Sequence, residues 1–131
     1  MKKLKLSPLL LLLLLAPAIG LASPVDKIAD LIKQGNAHEL AKYFAANIDI
    51  SLSDNTNVYS RAQAELILEK FFKENRPIAA TVLHRVNSSA TVNYTVLQLQ
   101  TDKGKYRVAY TMKEVDKQMV VIELRIEAEK T

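Results

Sequence analysis

The spacing of hydrophobic positions changes twice along this chain and divides it into three parts. Leu9 to Leu15 is an unbroken run of leucine. From Ser23 to Pro77 most apolar residues fall three and four apart, the spacing of helices with one buried face. Beyond Pro77 they recur in long β-branched stretches divided by short polar breaks, the spacing of strands.

Capping residues sharpen the helical part. Ser23-Pro24 reads as an N-cap followed by proline at the first helical position, with Asp26 closing a capping box. Ile28, Leu31 and Ile32 form a narrow stripe, and Gly35 stops the helix. Asn36 caps a second short helix, with Glu39 three residues on and Leu40, Tyr43 and Phe44 on its buried side. Ile48, Ile50 and Leu52 alternate with Asp49 and Ser51, which predicts a short strand with one wet face. Residues 53–57 read as a polar turn. Ser60 and Gln63 cap a third helix whose apolar residues are Ala64, Leu66, Ile67, Phe71 and Phe72, and which ends before Pro77.

Four strands are predicted after Pro77: about 79–86, 91–101, 105–113 and 118–128. Asn87-Ser88-Ser89, Asp102-Lys103-Gly104 and Val115-Asp116-Lys117 form the turns. Tyr106, Val108, Tyr110 and Met112 share one face of the third strand, and Val120, Ile122, Leu124 and Ile126 one face of the fourth. Both sets are assigned to the concave side. Arg107, Thr111, Glu123, Arg125 and Glu127 then make a solvated outer face. The expected architecture is α+β: a curved antiparallel sheet with three helices from the N-terminal half on its concave face.

The leucine run belongs to a leader. Lys2, Lys3 and Lys5 precede it, and Gly20-Leu21-Ala22 places small residues before a cut at Ser23. This is the layout of a secretory signal peptide, and its apolar core is too short to span a bilayer comfortably. The expected division is a signal over 1–22 and one domain over 23–131. No second apolar run of membrane length follows Ser23. The expectation is therefore an exported domain, periplasmic or extracellular, with no membrane span once the leader is cut. Removing the leader takes away three lysines and lowers the formal charge from +4 to +1. The basic balance is thus largely a property of the leader. With neither a basic stripe nor exposed aromatic platforms, nucleic acid is not an expected partner. The chain has no cysteine, which removes disulfides, thiolate zinc and a lipoprotein anchor.

The order helix, helix, strand, long helix, four strands resembles the nuclear transport factor 2-like, or cystatin-like, cone fold. Three stretches carry a closer resemblance. They are Ile32-Lys33-Gln34-Gly35-Asn36-Ala37 leading to Leu40-Ala41-Lys42-Tyr43-Phe44, then Val58-Tyr59-Ser60-Arg61-Ala62-Gln63-Ala64-Glu65 continuing to Phe71-Phe72, and the closing Ile122-Glu123-Leu124-Arg125-Ile126-Glu127. They are similar to a family of small exported proteins of unknown function, found mainly in Bacteroidetes-type bacteria. The resemblance implies a single cone domain, often with a pocket between helices and sheet. It does not choose between enzyme, ligand binder and dimerisation module.

Candidate chemistry is sparse. His38 reads as a surface residue. His84 alternates with Val82 and Val86 and is expected to face the cone, as packing or as a ligand contact. Tyr94, sharing parity with Val92 and Val96, joins Tyr106, Tyr110 and His84 as the candidate ligand-binding set. Core packing is the plainer reading of the tyrosines. An isomerase or dehydratase would use His84 as base with Tyr94 and Tyr110 as oxyanion donors. Two histidines without linked spacing make no metal site, and no cofactor is expected. Ser60 serves as a helix cap and lacks a nucleophile elbow. The reading favoured is a non-catalytic domain. It would bind either a small apolar ligand in the cone or a protein partner, an envelope protein or a second copy, through Arg107, Glu123 and Arg125 on the sheet. Phe44, Phe71, Phe72, Val108 and Leu124 decide between these, because if they fill the cone there is no room for a substrate.

Overall fold

The computed structural model describes residues 23–130; the leader expected over 1–22 lies outside the described residues. Among the described residues, three helices, α1 (Pro24–Gln34), α2 (Ala37–Ala41) and α3 (Arg61–Glu74), accompany six strands. The strands are β1 (Phe44–Leu52), β2 (Asn55–Ser60), β3 (Pro77–Ser89), β4 (Val92–Thr101), β5 (Gly104–Val115) and β6 (Gln118–Ala128). They form one curved sheet in the order β2-β1-β6-β5-β4-β3. All neighbours are antiparallel except β1 and β6, which run parallel. The α+β cone therefore holds, with a mixed sheet in place of a wholly antiparallel one. No helix among the described residues is long and apolar enough to cross a membrane.

The capping signals act where the sequence puts them. The Ser23 hydroxyl accepts from the Asp26 N–H, the Asn36 amide oxygen accepts from the Glu39 N–H, and Ser60 and Gln63 form a reciprocal capping box. Gly35 closes α1 in the left-handed region at φ 66°. On α3 the buried residues are Ala64, Leu68 and Phe72, four apart along one face, whereas Leu66 is 66 % exposed. Placing Leu66 on the buried side is corrected by that spacing: it lies two residues from both Ala64 and Leu68, on the opposite side of the turn.

Other local expectations are also corrected. Phe44 opens β1 and is not part of the second helix. Asn55–Ser60, read largely as turn, is a strand because it pairs with Asn47–Leu52. β3 runs on through Asn87-Ser88-Ser89, and the chain reverses after it.

The core lies between the helices and the concave face. Ile28, Leu31 and Ile32 of α1, Leu40 of α2, and Leu68 and Phe72 of α3 meet Ile48, Ile50, Leu97, Leu99, Val108 and Leu124 of the sheet. Two bulges set which side chains reach it. In β6 the register slips between Thr111 and Met112, so that Met112 faces Val121 while Thr111 faces Glu123. The extra residue is Ile122. N-terminal to it the alternation reverses, and Val121 and Met119 pack inward in place of Val120 and Ile122. In β3 a slip between Val82 and His84 leaves Leu83 as the extra residue.

Candidate functional site

The four residues expected around a pocket are distributed over both faces of the sheet. On β5, Tyr106, Val108, Tyr110 and Met112 face inward as expected. Their β4 partners are Leu99, Leu97, Thr95 and Asn93, so the odd-numbered residues of β4 face the core. Tyr94 and Val96 are therefore on the outer face, which corrects the parity assumed for Tyr94. His84 pairs with Val96 and is exposed on that same outer face. The Leu83 bulge explains it: Val82 still faces inward opposite Leu97, and the extra residue turns His84 away. The base and donors of an isomerase site, His84, Tyr94 and Tyr110, are thus not brought together.

Tyr110 is fully buried, and its hydroxyl donates to the Val25 carbonyl at 3.1 Å, tying β5 to the first turn of α1. Burial pushes the phenol up to about 12. Tyr106 donates to the Asn75 amide oxygen at 2.6 Å, and its ring meets Phe71 edge-on with centroids 5.1 Å apart. Both hydroxyls are committed to structural partners.

The raised Tyr110 pKa gives a testable pH dependence. A phenol whose folded pKa lies above the ordinary value of 10 favours folding fully below pH 10. That contribution is lost as pH rises from 10 through 12. The slope contributed is at most one proton, about 1.4 kcal/mol per pH unit. Urea unfolding of the protein and of Tyr110→Phe between pH 8 and 12 isolates it: the two stabilities are expected to converge above pH 10. Parallel curves would place the phenol in contact with water.

A polar ladder runs beside Tyr110 on the inner face. Thr95 donates to the Asn93 side chain at 2.8 Å, and Asn93 donates to Asn87 across the β3–β4 pair. Asn93 and Thr95 are buried and satisfied by each other and by Asn87. Arg85, also inward-facing beyond the bulge, reaches Asp26 of α1 at 2.6 Å. The sequence reading missed this set, because β4 carries apolar residues at both parities and hides which of its polar residues are buried.

The interior of the cone is packed with apolar side chains. Phe44, Phe72, Val108 and Leu124 are buried and Phe71 packs against them, so the side chains named as the deciding set occupy the interior. Four grooves on the described surface lie elsewhere, and none of these four is lined by His84, Tyr94, Tyr106 or Tyr110.

The outer face of the sheet holds the remaining candidates. Arg107 stands opposite Glu127, Thr111 opposite Glu123, and Arg125 opposite Ala109. Arg125 approaches Glu127 along its own strand at 3.9 Å. Between these charges Val96, 2 % exposed, is covered without any helix on this side, and Tyr94 and Val86 stand beside it half open.

Comparison with known proteins places the chain. A family model described as a domain of unknown function, DUF4783, matches residues 25–127. No curated protein matches. Among solved structures, a DUF4783 family protein from Bacteroides uniformis aligns at 21 % identity with a TM-score of 0.79, covering 83 % of this chain and all of its own. One from Bacteroides fragilis aligns at 22 % identity and TM-score 0.74, covering 78 % and 95 %. A domain of unknown function with a cystatin-like fold from Nostoc punctiforme aligns at 12 % identity and TM-score 0.65, covering 84 % and 81 %.

Proposed function

The chain belongs to the DUF4783 family of domains of unknown function, and from that premise we propose that it is an exported, non-catalytic interaction domain working through the outer face of its sheet. The observation that carries this reading is the filled cone: the space a substrate would need is occupied by Phe44, Phe72 and Tyr110. Export is supported by the leader pattern, with Lys2, Lys3 and Lys5 ahead of the leucine run and Gly20-Leu21-Ala22 after it. The protein then works in the periplasm or outside the cell.

The outer face suits a second copy of the chain. It carries both signs within a small area, with Arg107 and Arg125 beside Glu123 and Glu127. A twofold axis through such a face sets arginine against glutamate twice over, which is what an isologous interface requires. Tyr94 and Val86 add apolar contact at its β3 side.

Native mass spectrometry of the protein, purified gently from the cell envelope, tests this reading. A homodimer is expected, and Arg107→Glu with Arg125→Glu should reduce it to a monomer that keeps the far-ultraviolet circular dichroism of the folded parent. A monomer, or a dimer indifferent to both reversals, would overturn the assignment of this face. A hetero-complex cross-linked elsewhere on the domain would do the same.

A further inference from the structure

A groove where α1, α2 and the β5–β6 turn come together uses none of the charged residues of the outer face. Two depressions, of about 420 and 320 Å³, meet at Lys42 and Tyr43, where α2 hands over to β1. The floor is Tyr43 and Met119, both half-buried against the core. The rim carries Lys27 from α1, Lys42 after α2, and Lys117 from the β5–β6 turn. Glu39 is the one carboxylate lining either depression, and it is engaged by Lys42 at 2.6 Å, which holds it below the usual carboxylate range. Lys27 and Lys117 take part in none of the ion pairs among the described residues. The groove is thus cationic at its rim and apolar on its floor.

A separate observation concerns the rim. Asp116 and Lys117 both lie in the left-handed region, at φ 51° and 65°. A two-residue hairpin of this kind favours glycine at its second position, and a lysine there costs about 1 kcal/mol. Strain held at a ligand-sized groove is a pointer to use. Here it fixes a cation at the groove edge, where a glycine would make the easier turn.

We propose that this groove binds a small amphiphilic anion, with a carboxylate or phosphate-monoester head at the lysine rim and an aliphatic or aromatic body on Tyr43 and Met119. The size falls within the roughly 300–1,000 Å³ of small-molecule sites. The apolar floor argues against a bare inorganic anion, and the free lysines against a neutral lipid.

Titration of the full chain with decanoate, decyl phosphate, decanol and inorganic phosphate tests this, read by calorimetry and by amide shifts and kept below micelle concentrations. Decanoate and decyl phosphate are expected to saturate one site, shifting Tyr43 and residues 117–120, with affinity falling as salt rises. The double variant Lys27→Gln with Lys117→Gly should weaken both at least tenfold. Lys117→Gly also relieves the turn, so the unfolding midpoint should not fall and loss of binding cannot be put down to loss of fold. Decanol binding as tightly as decanoate would overturn the anionic half of the proposal. Inorganic phosphate binding as tightly as decyl phosphate would overturn the apolar half. Shifts centred on another surface, or a double variant that binds like the parent, would overturn the site.

Discussion

Phe44→Ala is expected to lower folding stability by about 4 kcal/mol, the largest effect of any single truncation proposed for this domain. Phe44 is fully buried where helices and sheet meet. It opens β1, opposite Val121 of β6. The backbone around it is held on two sides: Arg61 donates from Nε to the Phe44 carbonyl at 3.1 Å, and the Val121 N–H donates to the Tyr43 carbonyl at 2.8 Å. A site pinned in this way cannot collapse onto the space left by a lost ring, so the cavity term adds to the lost transfer energy. Against the roughly 5–15 kcal/mol of an ordinary domain, such a loss is a large share. Urea unfolding checks it, with Leu66→Ala on the exposed side of α3 as a control expected to stay within about 0.5 kcal/mol. A Phe44→Ala cost below about 1.5 kcal/mol would show that the surrounding core repacks freely.

Gly35→Val is expected to cost about 3 kcal/mol, for reasons that Gly35→Ala and Gly35→Asn can separate. Gly35 sits at φ 66°, its N–H bonded to the Ile32 carbonyl, and Asn36 bonds to the Leu31 carbonyl behind it. Left-handed backbone alone costs a side chain about 1–2 kcal/mol. A Cβ at this position would also meet Pro77 Cδ at 3.2 Å, Pro77 Cγ at 3.3 Å and Phe72 Cβ at 3.5 Å. A proline ring and a helix-bound Cβ have little freedom to move aside. Asparagine tolerates the left-handed region but carries the same Cβ. Gly35→Asn should therefore be more stable than Gly35→Ala, which bears both costs, yet remain less stable than the parent. An asparagine variant as stable as the parent in thermal unfolding would mean that the backbone angle is the whole cost and the approach of Pro77 is none of it.

What the sequence made legible follows from how local each signal is. Ser23, Gly35, Asn36 and Ser60 act within four residues of themselves, and each does in the structure what its type predicts. The strands of the second half were visible because their β-branched alternation is long. β2 was not, because Asn55, Thr56 and Asn57 have turn-like side chains and become a strand only through pairing with β1. Side-chain direction failed wherever a bulge intervened. One extra residue at Leu83 turns His84 outward, and one at Ile122 brings Val121 inward, and neither residue type announces a bulge. Tyr94 was misplaced for a different reason: Val92 and Val96 on one parity compete with Leu97 and Leu99 on the other, and only the β5 register decides. The candidate pocket depended on these directions, so it dissolved with them. The charged outer face depended on the unbulged stretches of β5 and β6 and survived.

The parallel contact between β1 and β6 makes the last strand the keystone of the sheet. β6 is the last of the six described strands in sequence, yet it stands third in the strand order, between the β2–β1 hairpin and the β5–β4–β3 meander. A chain ending before Gln118 would hold two sheet fragments sharing no strand, each with an uncovered apolar face. Pairings between distant parts of a chain form slowly, because loop closure must come before the contact that rewards it. Closing the six strands into one sheet therefore waits for β6. A copy lacking β6 presents exposed apolar surface and unpaired edges, the features that make partly folded chains prone to aggregate. β6 thus decides whether the domain holds one sheet or two separate fragments.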